Sequence, residues 1–360
     1  MQTNTNNKID LGTPRVPVLD SDMKPLMPTT PSRARFLMEQ GKASAYRNKL
    51  GVFCIILHQA KEPNNQPLAL GIDPGSKFEG WSVVGTKYTV LNGMSEAPTW
   101  VKENVSTRSQ MRRARRFRNC PRRQQRSNNR AKQCLPPSTK SRWQAKLNIV
   151  RHIQRILPIE VVVVEDIKAE SRKDSKKWNT NFSPLGQGKN WLYSEINNLG
   201  LRLVTWEGQE TKAMRDQHQL DKCKQKDKAV FQSHAVDAWC LAASQTGAEK
   251  PSWRGLFYWT PIRLHRRRLH MLQLSKGGLR RENGGTRSMG WTRGTLVKHI
   301  KYDLTYIGGT LKGKISLHRL KDGKRVTQKA KVEDLDILTT THRRARLIHS
   351  LSREALAVHD

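Results

Sequence analysis

Residues 68–75 read LALGIDPG, an apolar run that ends in an aspartate and a tight turn. The pattern predicts a buried strand with Asp73 at its carboxyl end. Residues 161–165 read VVVVE, which is typical of a strand covered on both faces, and Glu165 stands at its end. If the two strands are adjacent and parallel, both carboxylates emerge at the sheet edge where ligands of open α/β sheets bind.

A third carboxylate, Asp237, lies in residues 231–244, whose apolar residues predict a buried helix. His234 precedes it by three residues, so both side chains project from one face of that helix. Three converging carboxylates repel one another unless cations bind between them, and their hard oxygen atoms suit Mg²⁺ or Mn²⁺. Two such ions would clamp a phosphodiester for hydrolysis, with His234 as the general base or as a group that orients the attacking water.

Each of these signals has an ordinary structural alternative. Asp-Pro-Gly is a common turn, so Asp73 could serve the turn alone. A single histidine on an apolar helix, such as His234, is more often a satisfied core residue. Alternation from Val164 does not decide whether Glu165 or Asp166 points inward. The combination of these acids with the charge of the chain is what favours a nuclease.

The chain of 360 residues carries 66 Lys and Arg against 30 Asp and Glu, a formal net charge of +36. Such an excess repels itself in a compact state, so we expect a polyanionic partner, and nucleic acid fits better than a membrane. No apolar run approaches the roughly 18 residues of a membrane span, and the N-terminus has no secretory h-region. Five scattered cysteines without a C-x-x-C pair indicate a reducing cytoplasm.

The basic residues concentrate in one block. Residues 104–159 contain 16 Lys and Arg and no carboxylate, and residues 112–118 read RRARRFR. Met111, Ala114 and Phe117 recur at helical spacing, which predicts an arginine-covered helix with a narrow apolar stripe. Neighbouring arginines repel each other, so such a helix needs phosphates around it. A disordered basic tail is the alternative.

Strand and helix patterns alternate through the middle of the chain, which predicts an α/β layer fold. Residues 31–38 predict a short helix that begins at a proline, and a polar break at 61–66 marks a boundary. Further strands are predicted at 51–57, 81–84, 88–91 and 201–204, and a helix at 143–157. After about residue 250, short strands at 294–298, 304–307 and 314–317 predict a small all-β module, followed by a helix-like stretch at 343–358.

The segments LGIDPG at 70–75, VVE at 163–165 and HAVDA at 234–238 resemble the three segments of a RuvC nuclease domain. The PLMP sequence at 25–28, the arginine block and the Gly-rich basic end are similar to those of the IscB/IsrB family of RNA-guided nucleases. The resemblance covers residues 24–335. About seventy residues separate Glu165 from His234, and they hold no Cys/His cluster of an HNH nuclease, so the chain resembles the shorter IsrB form.

The resemblance implies an α/β, RNase H-like (RuvC) mixed sheet, split in sequence by an Arg-rich bridge helix, with a small N-terminal unit and a C-terminal β-rich module. It implies an N-terminal PLMP-containing unit at 1–66, RuvC segment I at 67–107, the bridge helix at 108–140, RuvC segments II and III without an HNH insertion at 141–248, and a target-adjacent-motif region at 249–360. It also implies that the protein is a monomer bound to a large structured guide RNA, in the prokaryotic cytoplasm at the nucleoid. The protein would nick the non-target strand of double-stranded DNA with two Mg²⁺ or Mn²⁺ ions.

The site residues that the resemblance implies fall into three groups. The catalytic set is Asp73, Glu165, His234 and Asp237, and its three carboxylates are the metal ligands. The expected RNA contacts are Arg112, Arg113, Arg115, Arg116, Arg118, Arg122 and Arg123. The expected DNA contacts are Arg281, Arg287, Arg293 and Lys298. Two other functions remain open: a guide-independent RuvC-type nuclease on branched DNA, and a non-catalytic nucleic-acid-binding protein.

Overall fold

A computed structural model describes most of the chain, and its central feature is a seven-stranded mixed sheet with helices on both faces. It describes residues 8–10, 14–59, 65–117, 135, 137–166, 184–223, 228–253, 256–261, 287–320, 322–340, 343–348 and 350–352. Among the helices in these ranges, none combines the length and the apolar character needed to cross a membrane.

The N-terminal unit is a four-stranded sheet with one helix. Its elements are β1 (Lys8–Asp10), β2 (Val16–Leu19), β3 (Pro25–Thr29), α1 (Pro31–Glu39), β4 (Ala43–Arg47) and β5 (Phe53–Leu57). The sheet order is β3-β2-β5-β4, and β1 pairs elsewhere. Helix α1 begins as its sequence predicts, because Thr30 caps it by accepting a hydrogen bond from the Arg33 amide, and Pro31 occupies the first turn.

The central part of the chain alternates strands and helices. Its elements are β6 (Leu68–Asp73), β7 (Phe78–Gly85), β8 (Thr89–Glu96), α2 (Val101–Phe117), α3 (Pro137–Gln154), β9 (Val161–Glu165), α4 (Pro184–Asn197), β10 (Arg202–Trp206), α5 (Gly208–Gln217), α6 (Phe231–Thr246) and β11 (Leu256–Pro261). The strands that the sequence predicts in this region, and the helices predicted at 143–157 and 231–244, are therefore confirmed, with bounds that differ by a few residues.

The C-terminal part is made of strands. They are β12 (Arg287–Ser288), β13 (Trp291–Thr292), β14 (Thr295–His299), β15 (Asp303–Leu311), β16 (Lys314–Arg319), β17 (Arg325–Ala330), β18 (Leu335–Thr340), β19 (Arg343–Ile348) and β20 (Ser350–Ser352). Five of them form an antiparallel sheet in the order β17-β16-β15-β14-β18 around a small apolar core. This confirms the predicted small β module.

The predicted helix at 343–358 is wrong over its described residues. Strand β19 pairs antiparallel with β11 in the central sheet, and β20 pairs with β1. Ala345 and Leu347 pack on the main core, while Arg346 lies on the other face with its guanidinium 5.2 Å from the Tyr258 ring centre. This period-two pattern is set by pairing with β11, which overrides the helical propensity of Arg, Ala and Leu. The described part of residues 249–360 thus contributes strands to the central sheet, to the five-stranded sheet and to two two-stranded sheets.

The strand order of the central sheet is β10-β9-β6-β7-β8-β11-β19. Strands β6, β9 and β10 run parallel, and β6, β7 and β8 form an antiparallel meander. The largest apolar core lies between one face of this sheet and helices α3 and α4. Helix α6 covers the opposite face. Strands β6 and β9 are therefore adjacent and parallel, which is the arrangement that the two sequence runs predict.

Candidate metal centre

Asp73 and Glu165 lie next to each other at the carboxyl edge of the sheet. Ile72 pairs with Val164 in the parallel register of β6 and β9, so the two acids follow in neighbouring positions. Side chains alternate along both strands, and Val162 and Val164 face the core of α3 and α4. Glu165 therefore lies on the face that α6 covers, and Asp73 lies on the same face because Leu70 and Ile72 face the other core.

Two glycines allow α6 to approach the sheet closely. A Cβ atom at Gly71 would overlap the Ala238 carbonyl and lie 2.7 Å from the Ala242 nitrogen. A Cβ atom at Gly80 would overlap the His234 carbonyl in the same way. Since neither strand residue carries a side chain there, the helix backbone rests directly on β6 and β7. This contact brings the first half of α6, and Asp237 with it, to the two strand-end acids.

The three predicted metal ligands converge. One carboxylate oxygen each of Asp73, Glu165 and Asp237 lies within 4.8 Å of the other two. Asp237 is buried, and the other two acids are half-buried. Carboxylate oxygens on rigid strand ends and a helix are the ligand type that Mg²⁺ and Mn²⁺ prefer. The arrangement can therefore hold a divalent metal ion.

Two cations that sequence reasoning did not identify contact the same cluster. Arg215, on α5, donates from Nη1 to Asp237 Oδ1 at 2.7 Å, and the Lys222 ammonium pairs with Oδ2. Asp237 is 3% exposed, so these pairs offset the cost of burying its charge. Both cations lie in the stretch between Glu165 and His234. That stretch has many basic residues, and nothing in the sequence distinguishes these two from the rest.

His234 is buried on α6, and its ring lies 5.5 Å from the Phe78 ring centre. Its Nε2 lies 3.2 Å from the Lys228 carbonyl oxygen. Because a carbonyl only accepts, Nε2 carries the hydrogen, and in the neutral ring Nδ1 is the nitrogen that can take up a proton. His234 is not one of the three converging residues, so its part in catalysis stays a prediction.

The structure separates Glu165 from Asp166. Asp166 is the residue after the end of β9, and by alternation it lies on the opposite face of the sheet from Glu165. Its Oδ1 accepts a hydrogen bond from the Tyr193 hydroxyl at 2.9 Å and pairs with Lys189 at 2.8 Å. Both partners lie on α4. Burial and the Asp166 carboxylate raise the pKa of Tyr193, so its hydroxyl remains a donor. Glu165 is thus the acid of this pair that joins Asp73 and Asp237.

A buried lysine supports the turn that follows Asp73. Lys146, on α3, donates to the Gly75 carbonyl at 2.8 Å and to Glu79 Oε1 at 2.7 Å. Glu79 lies in the next strand, β7, and both charged side chains are buried. The sequence did not single out Lys146, because it is one of many basic residues and its partners lie about seventy positions away.

The expected RNA contacts are described in part. Helix α2 ends at Phe117 in the described part of the chain, and the side chains of Arg112 and Arg113 are exposed on it. Its apolar residues are also on the surface, since Met111 is 42% and Phe117 is 89% exposed. The backbone of Arg115 and Arg116 is helical, but their side chains lie outside the description. Arg118, Arg122 and Arg123 lie outside the described residues.

The expected DNA contacts lie in the C-terminal strands. Arg287, on β12, and Lys298, on β14, are exposed. Arg293, which lies between these two strands in the chain, is half-buried. The Arg293 guanidinium lies near Gly309, on β15. Arg281 lies outside the described residues. The three described cations thus belong to one β module, and nothing in it indicates which of them contact bases.

Taken together, the fold and the site define a mixed α/β protein with a candidate divalent-metal centre. The model of the family described as "RRXRR protein" matches residues 16–180, which include RRARR at 112–116. No curated protein matches the sequence.

Solved structures that are similar to this chain include two of RuvC. One is Thermus thermophilus RuvC in complex with a Holliday junction substrate, at 14% identity and a TM-score of 0.28. The other is a Thermus thermophilus RuvC structure, at 15% identity and a TM-score of 0.26. Each alignment covers 51% of this chain and 99% of the RuvC chain.

Proposed function

We propose that this protein is a metal-dependent DNA endonuclease of the RuvC type that is guided by RNA and nicks one DNA strand. The observation that carries the proposal is the convergence of Asp73, Glu165 and Asp237 at the carboxyl edge of the sheet. A protein of charge +36 that holds three acids together in one place has a specific use for them. Divalent cations and a phosphodiester substrate account for both features at once.

The residues of the chain divide the chemistry among them. Asp73 and Glu165 on the strands and Asp237 on the helix would hold two Mg²⁺ or Mn²⁺ ions, which when bound supply activation of the attacking water and stabilisation of the leaving oxygen. His234 would take the proton of the attacking water at Nδ1, or orient that water. Arg215 pairs with Asp237 Oδ1, which offsets the cost of burying the charge of this carboxylate.

The guide RNA is proposed on the distribution of positive charge. The arginine block begins on the exposed helix α2, and it lies within the region that matches the RRXRR family. An excess of 36 charges exceeds what a short DNA duplex would neutralise, which favours a large RNA partner. Arg281, Arg287, Arg293 and Lys298 are proposed to contact the target-adjacent DNA, and the protein is expected to act as a monomer at the nucleoid in the cytoplasm.

The first experiment identifies the RNA. The gene is expressed with its native flanking DNA, the protein is purified in moderate salt, and the bound RNA is sequenced. A single discrete transcript that maps to the flank supports RNA guidance. Heterogeneous cellular RNA, or none, contradicts guidance and favours the junction nuclease, which is then assayed on branched DNA with Mg²⁺.

The second experiment tests the metal centre with a matched pair of variants. Glu165→Gln should abolish plasmid nicking, while Asp166→Asn should retain most of it, because only Glu165 joins the other two acids. RNA binding should be unchanged in both. With one nuclease centre, supercoiled plasmid should become open circle. Retained cleavage by Glu165→Gln, or efficient double-strand breaks by a monomer, would contradict the proposal.

A further inference from the structure

A cavity of about 630 Å³ lies between the N-terminal unit and the central sheet. The turn between β2 and β3, the residues that follow β4, and the segment between α3 and β9 form its walls. Its volume is in the range of cavities that hold a small organic ligand. Ile159 lines it just before β9 begins, whereas Glu165 ends that strand, so the cavity and the three carboxylates lie at opposite edges of the sheet.

The floor of the cavity is apolar and carries an aromatic ring. Leu19, Ile156 and Leu157 are at most 2% exposed and form the base of the cavity. Tyr46 is half-buried at its side. Burial raises the pKa of Tyr46, and the positive charge of Arg155, which lines the same cavity, opposes that rise. A nucleobase is a flat ring with polar groups at its edge, and it suits a cavity lined by both an aromatic ring and a cation, because bases stack on aromatic side chains.

The rim of the cavity is basic. Lys24, Lys49 and Arg155 are exposed residues of its lining, and they come from three separate segments. Among the described residues that line the cavity, none is acidic. Three cations around an apolar floor complement a ligand with a flat apolar part and an anionic part, as in a nucleotide.

The turn at the mouth of the cavity is held in a fixed, unfavourable conformation. Met23 has a φ of 65°, which is unusual for a residue with a long side chain, and it is 44% exposed. Asp20 fixes the turn by accepting hydrogen bonds from the amides of Asp22 and Lys24 at 2.9 and 2.7 Å. A flexible apolar side chain is therefore held at the opening at a cost in backbone energy, which suits contact with a ligand.

We propose that this cavity binds one unpaired nucleotide of a nucleic-acid strand, with the base inside against Tyr46 and the flanking phosphates on Lys24, Lys49 and Arg155. The site would anchor a strand at the sheet edge far from the carboxylates. It needs neither metal ions nor cleavage, so the proposal stands or fails independently of the nuclease function.

The test measures binding of a short single strand that contains one 2-aminopurine, in EDTA, by its fluorescence. An RNA and a DNA version are used, because the nucleotide could belong to either, and the version that responds identifies the source. A third probe carries an abasic position in place of the central base. A nucleotide site predicts quenching on binding and affinity about tenfold higher for the base-containing probe than for the abasic probe.

Two variants and a control locate the site. Lys24→Ala/Lys49→Ala removes two exposed cations, and Tyr46→Leu removes the ring while keeping an apolar side chain. Each should weaken binding about tenfold and reduce the quenching, whereas Lys42→Ala, an exposed lysine of the same unit outside the cavity, should not. Unfolding curves check that the Tyr46 variant is folded. Equal binding by the lysine double variant and the control, or by the base and abasic probes, would overturn the proposal.

Discussion

Replacing Lys146 by methionine should destabilise the fold by about 3 kcal/mol, at the low end of the range for breaking a buried ion pair. Lys146 and Glu79 side chains are 7% and 1% exposed, and 2.7 Å separates their charged atoms. Without the lysine, Glu79 stays buried, and its Oε2 already has no hydrogen-bond partner within the described part of the chain. We expect a loss at the low end of that range because Glu79 also interacts favourably with the buried Arg343 guanidinium. Burial lowers the pKa of Arg343, and the negative charge of Glu79 opposes that effect.

Urea unfolding followed by tryptophan fluorescence measures this loss. Arg151→Met is the matched control on the same helix, since Arg151 pairs with Glu195 at 3.3 Å and the two side chains are 38% and 30% exposed. That variant should lose less than about 1 kcal/mol. Adding Glu79→Leu to Lys146→Met should cost less than the sum of the two single changes, because it removes the unpaired charge. A loss for Lys146→Met no larger than that for Arg151→Met would refute the reasoning.

The other predictions concern the helix contact and the buried thiols. Gly71→Ala should cost about 3 kcal/mol or more of stability and should also slow nicking, because the new Cβ would displace α6 and Asp237. Gly309→Ala is the control and should have a mild effect, because a Cβ atom there would make only ordinary contacts, the nearest at 3.7 Å. Equal unfolding midpoints for the two variants would contradict this prediction. Burial raises the pKa values of Cys54 and Cys240 from 9.0 to about 12. The unfolded chain therefore loses these protons first, and stability should fall as the pH rises from 9 towards 12, by up to about 1.4 kcal/mol per pH unit for each thiol. Urea titrations at several pH values, compared with Cys54→Ala/Cys240→Ala, measure the contribution of the thiols; an identical slope in that variant would contradict it.

The sequence was sufficient to predict the sheet edge that carries the site. The apolar runs before Asp73 and Glu165 predict strands, and the helical pattern around Asp237 predicts a helix, because burial on both faces leaves a clear apolar signature. The structure places the three acids together as those patterns require. What the sequence left open was which residues of β9 face which side of the sheet. Four consecutive valines suit both cores equally, and only the helix that covers one face distinguishes Glu165 from Asp166.

The remaining features depend on contacts that are distant in sequence. Residues 343–348 have good helix formers, and their pairing with β11 became visible only in the sheet. Arg215 and Lys146 are two of 66 basic residues, and their partners are fixed by the packing of α5 and α3 rather than by any local pattern. The cavity of about 630 Å³ joins three separate segments, so no single stretch of the sequence indicated it.

The most direct test of the central claim is an anomalous diffraction measurement on crystals grown with Mn²⁺. The metal centre predicts anomalous peaks among Asp73, Glu165 and Asp237, two of them about 3.5–4 Å apart when nucleic acid is bound. The same experiment on Glu165→Gln should show the peaks weakened or lost. Well-ordered carboxylates without Mn²⁺ between them, in crystals of protein that nicks DNA in the same buffer, would contradict the account.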